Sequence, residues 1–273
     1  MLHYAYHNRY WQETYHKMRL AVLADIHGNF HALQSVLADM KRQDDFDLIW
    51  CLGDLAALGG APHDCAQALL ALRDEVGEDK CKIIGGNTDR YLVTGARIAF
   101  PPPEEADDYP AYRDNILSMS AINAWNMENL AWDDFQLLRD ILGRELTLDV
   151  EGYGRVIGFH AIPGDDESTA LRPDSPDEEA ADALLDRGGR LAICGHTHLA
   201  MDRQVGSWRV INPGSVGLSF GNPGVAEWAI LEWRDGALSV DLRRLPYDVD
   251  ATLSGWERAG HPAMAWIRPK LAG

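Results

Sequence analysis

The sequence predicts a layered α/β fold, and three patterns favour this class. Short apolar runs alternate with segments in which apolar residues recur at helical spacing. The first run, residues 20–24 (LAVLA), has no polar interruption, as expected for a strand buried on both faces. Glycines and polar residues follow directly after five of the runs, which is where open α/β sheets bind ligands.

The predicted elements follow one another in a regular order. Beyond residues 20–24, strands are predicted at residues 46–52, 82–84, 156–159 and 191–194. Antiparallel strands are predicted at residues 208–211 and in a hairpin at residues 228–242. Helices are predicted around residues 33–40 and at residues 62–76, 177–186 and 248–258, the last capped by Asp248. The glycines around residue 154 miss the dinucleotide-binding spacing by one position and predict a further hairpin.

Residues 95–143 interrupt this alternation. Three prolines and a run of acidic residues predict a solvated loop at residues 101–108. Residues 111–142 then carry two helical patterns that contain Trp125 and Trp132. We interpret the segment as a helical insertion beside the strand ends, and not as an independent domain. Its aromatic residues are expected to wall a ligand site.

The predicted domain covers residues 18–260, between an N-terminal extension (residues 1–17) and a C-terminal tail (residues 261–273). The extension lacks the apolar core of a signal peptide, and Met18 opens a strand-like run. Two interpretations therefore remain. In the first, Met18 is the natural start of the protein. In the second, Met1 is the natural start, and the extension is an arm that packs on the body of the protein or on a second subunit. Irregular surroundings disfavour a metal site at His3, His7 and His16.

Composition excludes several classes of function. The formal charge of −17 opposes general nucleic-acid binding, although a small substrate at a metal centre remains compatible with it. Apolar runs all fall short of the roughly 20 residues that span a bilayer, so no membrane association is expected. The chain has four cysteines, Cys51, Cys65, Cys81 and Cys194, and no two of them form a C-x-x-C pair. We expect them to be free thiols in a reducing cytoplasm.

Five short motifs lie just beyond predicted strand ends. They are Asp25-Ile26-His27-Gly28-Asn29, Gly53-Asp54, Gly86-Asn87-Thr88-Asp89, His160 and Gly195-His196-Thr197-His198. Each motif alone is weak, because such residues are common in turns. Together they deliver carboxylate, amide and imidazole donors to one edge, as a hydrolytic pair of metals roughly 3.5–4 Å apart requires.

With Asn212-Pro213-Gly214-Ser215-Val216 added, the motif series resembles the calcineurin-like metallophosphoesterase superfamily, in its small bacterial and archaeal phosphodiesterase branch. The resemblance covers about residues 18–259. It implies a four-layer αββα sandwich, in which two mixed β-sheets are flanked by helices. It also implies a cofactor of two divalent metal ions. Manganese is the first expectation, and iron, nickel, cobalt or zinc suit the same ligands.

The resemblance assigns seven residues to these ions. The ligands of one ion are Asp25, His27 and His198. The ligands of the other are Asn87, His160 and His196. Asp54 would bridge the two ions, and Asp54, Asn87 and His160 are the candidate catalytic residues.

The implied reaction is attack on a small phosphodiester by a metal-bridging hydroxide. Two ions (+4), two carboxylates (−2) and a hydroxide (−1) leave the site at about +1, which can hold a phosphate inside an acidic protein. No side-chain nucleophile is needed, so Ser215 is expected to organise its loop. We expect a small phosphate ester or nucleotide as the partner, and homo-oligomerisation stays open.

Thr88 departs from the pattern of many superfamily members, which have a His there to protonate the leaving oxygen. A hydroxyl is a poor acid at neutral pH, so good leaving groups should be favoured. The alternative is that Thr88 is only a turn residue.

Two further functions remain open. The same metals could serve a phosphomonoesterase or a nucleoside polyphosphate hydrolase. The fold could also serve as a non-catalytic protein-binding scaffold. The complete ligand set disfavours the scaffold, which would be free to lose ligands.

Overall fold

Two five-stranded β-sheets form the centre of the structure, a computed structural model that describes residues 17–272. The first strands along the chain are β1 (Met18–Leu23), β2 (Leu48–Leu52), β3 (Cys81–Ile84), β4 (Leu146–Val150) and β5 (Gly154–Gly158). The later strands are β6 (Leu191–Ile193), β7 (Met201–Val205), β8 (Trp208–Asn212), β9 (Val225–Arg234) and β10 (Ala237–Pro246). The sheet orders are β10-β9-β1-β2-β3 and β4-β5-β6-β8-β7.

Both sheets are mixed. In the first sheet β1, β2 and β3 run parallel, and the β9–β10 hairpin lies antiparallel beside β1. In the second sheet β5, β6 and β8 run parallel, while β4 and β7 are antiparallel edge strands. Each sheet therefore has three strands whose carboxyl ends meet at one edge.

Eight helices surround the sheets in the described part of the chain. The first four are α1 (Phe30–Met40), α2 (Pro62–Val76), α3 (Asn87–Thr94) and α4 (Tyr109–Glu128). The others are α5 (Trp132–Ile141), α6 (Asp177–Asp182), α7 (Val249–Arg258) and α8 (Met264–Ala272).

The position of β1 between two cores explains why its residues 20–23 are all apolar. Leu20 and Val22 pack into the core between the sheets, which also contains Trp50 and Trp233. The alternate residues of β1 face the opposite side, where α1, α2 and α5 cover the first sheet. Helix α6 covers the second sheet. The observed architecture is thus the expected four-layer αββα sandwich with two mixed sheets.

Some elements differ from the prediction. Strand β8, predicted as antiparallel, pairs antiparallel with β7 but parallel with β6. The hairpin predicted around residue 154 is confirmed as β4 and β5, whereas the edge strand β7 was not predicted, because its residues alternate between exposed and buried and form no long apolar run. Helix α3 has eight residues that begin inside a ligand motif. Helix α8 occupies most of the segment assigned to a C-terminal tail, and its Ile267 and Leu271 pack in a core with α4 and α7.

Residues 95–143 contain α4 and α5, as their helical patterns predicted. The Asn126 side chain of α4 accepts a hydrogen bond from the backbone N–H of Leu58 and donates one to the carbonyl of Gly59. The insertion therefore contacts the loop that directly follows Asp54. The expectations for residues 1–16, including the histidines there, lie outside the described residues.

The four cysteines are buried and free, as expected. Burial raises the pKa of the Cys51 and Cys65 thiols well above the ordinary value, which keeps them neutral. Among the described residues, the helices are too short or too polar to cross a membrane.

Helix α5 is joined to α2 by a polar contact. The Asp134 side chain is buried, and its two oxygens accept hydrogen bonds from His63 Nδ1 at 2.7 Å and from Gln67 Nε2 at 2.6 Å. This hydrogen bond raises the pKa of His63 above its ordinary value, although the imidazole itself is half exposed.

We predict that His63→Gln destabilises the protein more at acidic than at alkaline pH. A raised folded-state pKa means that the contribution is complete below about pH 6.5 and is lost as pH rises through the folded value. Because solvent screens the half-exposed imidazole, the pair should be worth only about 1 kcal/mol, or roughly 2–4 °C in Tm. Thermal unfolding of both proteins at about pH 5.5 and about pH 9 measures this, and an equal Tm difference at both pH values would contradict it.

Candidate active site

The seven predicted ligand residues meet at one edge of the sandwich. They follow β1, β2 and β3 of the first sheet and β5 and β6 of the second. Six of the seven are buried and His196 is partly buried. Residues separated by up to 173 positions in sequence, Asp25 and His198, thus contribute to a single cluster.

The first half of the cluster contains Asp25, His27, Asp54 and His198. Each offers one ligand atom, and these atoms all lie within 4.8 Å of one another. His27 Nε2 and His198 Nε2 are 2.9 Å apart, and His198 Nε2 is 3.5 Å from Asp25 Oδ1. Such a group could hold one metal ion.

The second half contains Asn87, His160 and His196. Asn87 Oδ1 lies 3.0 Å from His160 Nε2 and 3.1 Å from His196 Nδ1. Asp54 connects the halves, because its Oδ2 is 3.5 Å from both His27 Nε2 and His160 Nε2. Its other oxygen, Oδ1, accepts the Thr88 backbone N–H at 2.9 Å.

Backbone carbonyls set the orientation of the four imidazoles. The Nδ1 atoms of His27, His160 and His198 face the carbonyl oxygens of Ala57, Leu52 and Leu218, at 3.2, 2.7 and 2.7 Å. His196 is reversed, with Nε2 facing the Glu167 carbonyl at 3.0 Å. With a proton on each of these nitrogens, the opposite nitrogens direct their lone pairs into the cluster.

In this arrangement hydrogen-bond acceptor atoms of the cluster face one another, which suits a metal cation placed between them. With their Nδ1 protons donated to carbonyls, His27 and His198 present two lone pairs across 2.9 Å. When His160 is neutral, as a metal ligand must be, Asn87 Oδ1 faces the lone pairs of His160 and His196 in the same way. A cation in each position removes the repulsion between these atoms.

The backbone of the site is left-handed at five ligand residues, where φ is 50–66°. They are Asp25, His27, Asp54, His196 and His198. Such conformations are uncommon outside glycine, are tolerated best by Asn, Asp and His, and cluster at functional sites. The left-handed turns immediately after strand ends direct these side chains into the cluster.

Two glycines permit the close approach of the strand ends. Gly53 has φ of +95°, and a Cβ there would lie 2.6 Å from the Gly86 nitrogen. A Cβ on Gly86 would lie 2.6 Å from His160 Cε1. Any larger residue would therefore separate Asp54 from His160.

Burial and mutual charge shift the pKa values in the cluster. Burial, assisted by His198, lowers the pKa of His27 to about 4. Burial also opposes ionisation of His160, but the Asp54 carboxylate overrides it and raises that pKa to about 10. Burial favours neutral Asp54, yet His160 and His27 hold its pKa well below the usual range. Without a cation these shifts favour a protonated His160 beside an ionised Asp54, and a metal ion in the second half would take the place of that proton.

The structure also locates the two residues whose roles were expected to differ from metal binding. The Ser215 hydroxyl donates to the Asp25 carbonyl at 2.7 Å and accepts the Leu218 N–H at 2.8 Å, which confirms its loop-organising role. The Thr88 hydroxyl is buried and has no hydrogen-bond partner among the described residues.

Three residues at the site escaped the sequence analysis. Tyr91 bonds Asn87, and its position four residues further along the same helix is a signal that could have revealed it. Glu167 reaches the site from a distant loop, and nothing in its local sequence indicates this. Phe220 stacks on His198 with ring centroids 4.5 Å apart.

Comparison with known proteins agrees with this architecture. A metallophosphoesterase from Sphaerobacter thermophilus has a TM-score of 0.66 at 22% identity, over 93% of this chain and 98% of that one. A hypothetical protein from Pyrococcus horikoshii has a TM-score of 0.73 at 20% identity, over 94% of this chain and 99% of that one. At these identities the likeness establishes the fold.

Sequence similarity extends over the same region. An uncharacterised protein of Methanocaldococcus jannaschii is 28% identical over 249 residues, which cover 85% of this chain and 89% of that protein. The calcineurin-like phosphoesterase superfamily domain matches residues 18–236, a range that includes all five motifs. The chain therefore belongs to the calcineurin-like phosphoesterase superfamily.

Proposed function

We propose that this chain is a metal-dependent phosphodiesterase that hydrolyses small phosphodiesters at a centre of two divalent ions. The observation that carries the proposal is the convergence of acceptor atoms at the strand ends, where cations would stabilise them. Membership of the phosphoesterase superfamily supports hydrolysis of a phosphate ester as the reaction.

The ligands divide between two positions. The first position uses Asp25, His27 and His198, and the second uses Asn87, His160 and His196. Asp54 is assigned as the shared ligand, because one of its oxygens is equidistant from a histidine of each half. The mixed nitrogen and oxygen ligands suit manganese, and also iron, nickel, cobalt or zinc.

The chain itself orients this site before substrate arrives. Thr88 N–H holds Asp54 Oδ1, which leaves Oδ2 between the two halves. The His196 N–H donates to both oxygens of Asp25, at 3.1 and 2.9 Å. Two divalent ions, when bound, would supply a hydroxide near neutral pH and neutralise charge on the phosphoryl oxygens.

Charge alone does not separate a diester from a monoester at this site. With two ions, two carboxylates and a hydroxide the site would be at about +1, and Arg90 pairs with both Asp166 and Glu167 in the loop beside His196. The leaving group is the better basis for discrimination. Buried Thr88 offers no acid near neutral pH, which favours esters with good leaving groups.

Phe220 favours an ester that carries a flat ring. Its side chain is 53% exposed and one face stacks on His198. The loop around it is held firmly, because the buried Glu227 accepts hydrogen bonds from Ser219 and Asn222. The free face of Phe220 is therefore a fixed platform beside the proposed first metal position, suited to a nucleobase or an aryl group.

Two other functions compete with this one. A phosphomonoesterase or nucleoside polyphosphate hydrolase would use the same ligands, and a scaffold would use none. Relative turnover of an aryl phosphodiester, an aryl monoester and a dinucleoside polyphosphate by manganese-loaded protein separates the enzymes. Absence of turnover with every substrate and metal would leave the scaffold.

We predict that Asp54→Ala removes most bound metal and lowers turnover of an aryl phosphodiester by at least about 100-fold. The reason is that both positions lose the same ligand. Metal content by mass spectrometry and steady-state kinetics measure the two effects. Asp149→Ala, on an exposed edge strand, is the matched control. Two metals per chain and near-normal turnover in Asp54→Ala would refute the assignment.

We predict that Phe220→Ala lowers kcat/KM for a nucleoside p-nitrophenyl diester by about 5- to 100-fold, the range of stacking on one base. A methyl p-nitrophenyl diester, with the same leaving group and charge, should be almost unaffected. Phe220→Leu, which is apolar but has no ring, should resemble Phe220→Ala. Equal losses on both esters would show that the ring supports His198 and does not bind substrate.

We predict that Thr88→His accelerates hydrolysis of diesters with poor leaving groups more than that of nitrophenyl esters. A positioned imidazole can protonate a basic leaving oxygen, an effect typically worth ~10²–10⁴-fold. Diesters graded by leaving-group pKa, assayed at equal metal occupancy, give the comparison. A uniform change along the series would mean that Thr88 is only a turn residue.

A further inference from the structure

A loop of the second sheet is joined to helix α3 by a polar cluster next to the site. The loop follows β5, begins with His160 and carries Asp166 and Glu167. Arg90 of α3 makes a two-pronged contact with Asp166, with Nε–Oδ2 at 2.8 Å and Nη2–Oδ1 at 2.7 Å. Its Nη2 is also 3.2 Å from Glu167 Oε1. We name Arg90, Tyr91, Asp166 and Glu167 the α3 latch.

Within the latch, Tyr91 fixes the amide of Asn87. The Tyr91 side chain is 1% exposed, and its hydroxyl accepts a hydrogen bond from Asn87 Nδ2 at 3.2 Å. The same hydroxyl donates to the Glu167 carboxylate. With Nδ2 engaged in this way, Asn87 Oδ1 is directed towards His160 and His196. A rotation of the amide by half a turn would present NH₂ there instead.

The same loop residue also orients a second ligand. The Glu167 carbonyl accepts from His196 Nε2 at 3.0 Å, which leaves His196 Nδ1 free to face the cluster. Glu167 therefore acts on Asn87 through Tyr91 and on His196 directly. His160 begins the loop that Glu167 anchors.

The other half of the site has separate supports. His27 and His198 are held by the carbonyls of Ala57 and Leu218, and Asp25 by the His196 backbone N–H. All three contacts use backbone groups in the loops after β2, β6 and β8, and none uses a side chain of the α3 latch. Loosening the latch should therefore affect the two halves unequally.

We propose that Tyr91 and Glu167 are positioning residues that set the affinity of the second metal position, while the first position binds independently of them. The inference rests on the proposed two-metal function and adds a division of labour within it. Loss of a hydrogen-bond partner of a metal ligand typically costs 10–100-fold in metal affinity. The latch predicts that this loss falls on one position only.

Titration of metal-stripped protein with Mn²⁺ by calorimetry tests this. Tyr91→Phe removes one hydroxyl and keeps the buried ring. The wild type should bind two ions. The variant should bind one ion with an affinity within about twofold of the wild type, and the ion in the second position about 10–100-fold more weakly. Excess Mn²⁺ should restore phosphodiester turnover of the variant. Tyr153→Phe, at the opposite end of β5, is the matched control and should titrate like the wild type.

Each failure has its own signature. A wild type that binds two ions and a Tyr91→Phe variant that loses both equally, or neither, would overturn the inference alone. A wild type that binds fewer than two ions would overturn the two-metal function. If Tyr91→Phe proves unstable, Glu167→Gln decides, because it keeps the backbone carbonyl and a weaker acceptor for Tyr91. Glu167→Gln must weaken Mn²⁺ binding at one position only, and by less than Tyr91→Phe is expected to. A loss of affinity at both positions would overturn the inference.

Discussion

The left-handed backbone at Asp25, His27, Asp54, His196 and His198 is the constraint on which the site depends. Each such residue costs on the order of 1–3 kcal/mol. Five of them cost an amount comparable to the net stability of a typical domain. The conformations persist because surrounding contacts over-determine them, and they are concentrated where five strands present groups to one edge. The strained residues are also the candidate site residues, because a sharp turn after a strand directs a side chain across the ends of the neighbouring strands.

Packing between the sheets supplies what these turns require. Leu20, Val22, Trp50 and Trp233 are almost completely buried in the layer that joins the two sheets. Burial of a large apolar side chain is worth about 1.5–3 kcal/mol, so this layer can offset local strain. It also aligns the ends of β1, β2 and β3 with those of β5 and β6. The proposed two-metal site draws on both sheets and is therefore only as well ordered as the interface that joins them.

Hydrogen bonds then connect the ligand loops to one another. Buried Asp89 accepts from the Leu55 N–H at 2.9 Å and from the Gly86 N–H at 3.0 Å, and so links the loops after β2 and β3. Burial, together with the nearby Asp54 charge, raises the pKa of Asp89 to about 7. The two halves differ in their supports, since the first relies on backbone groups of the ligand loops and the second partly on a loop held by side chains of the α3 latch. In a phosphoesterase this difference would allow one metal position to vary without disturbing the other.

Local sequence patterns were enough to predict the buried strands, the two helices of the insertion and the residues that the structure brings together at the candidate site. These carry strong local signals: uninterrupted apolar runs such as residues 20–24, helical periodicity, and glycine beside Asp or His after a strand. The edge strands β4 and β7 and the last helix, α8, carry weak signals because their surroundings, and not their own pattern, stabilise them. Only the tertiary structure decided that Glu167 reaches Tyr91 and that Phe220 stacks on His198. Those contacts join residues 76 and 22 positions apart, and their geometry depends on how the two sheets pack, which no local pattern encodes.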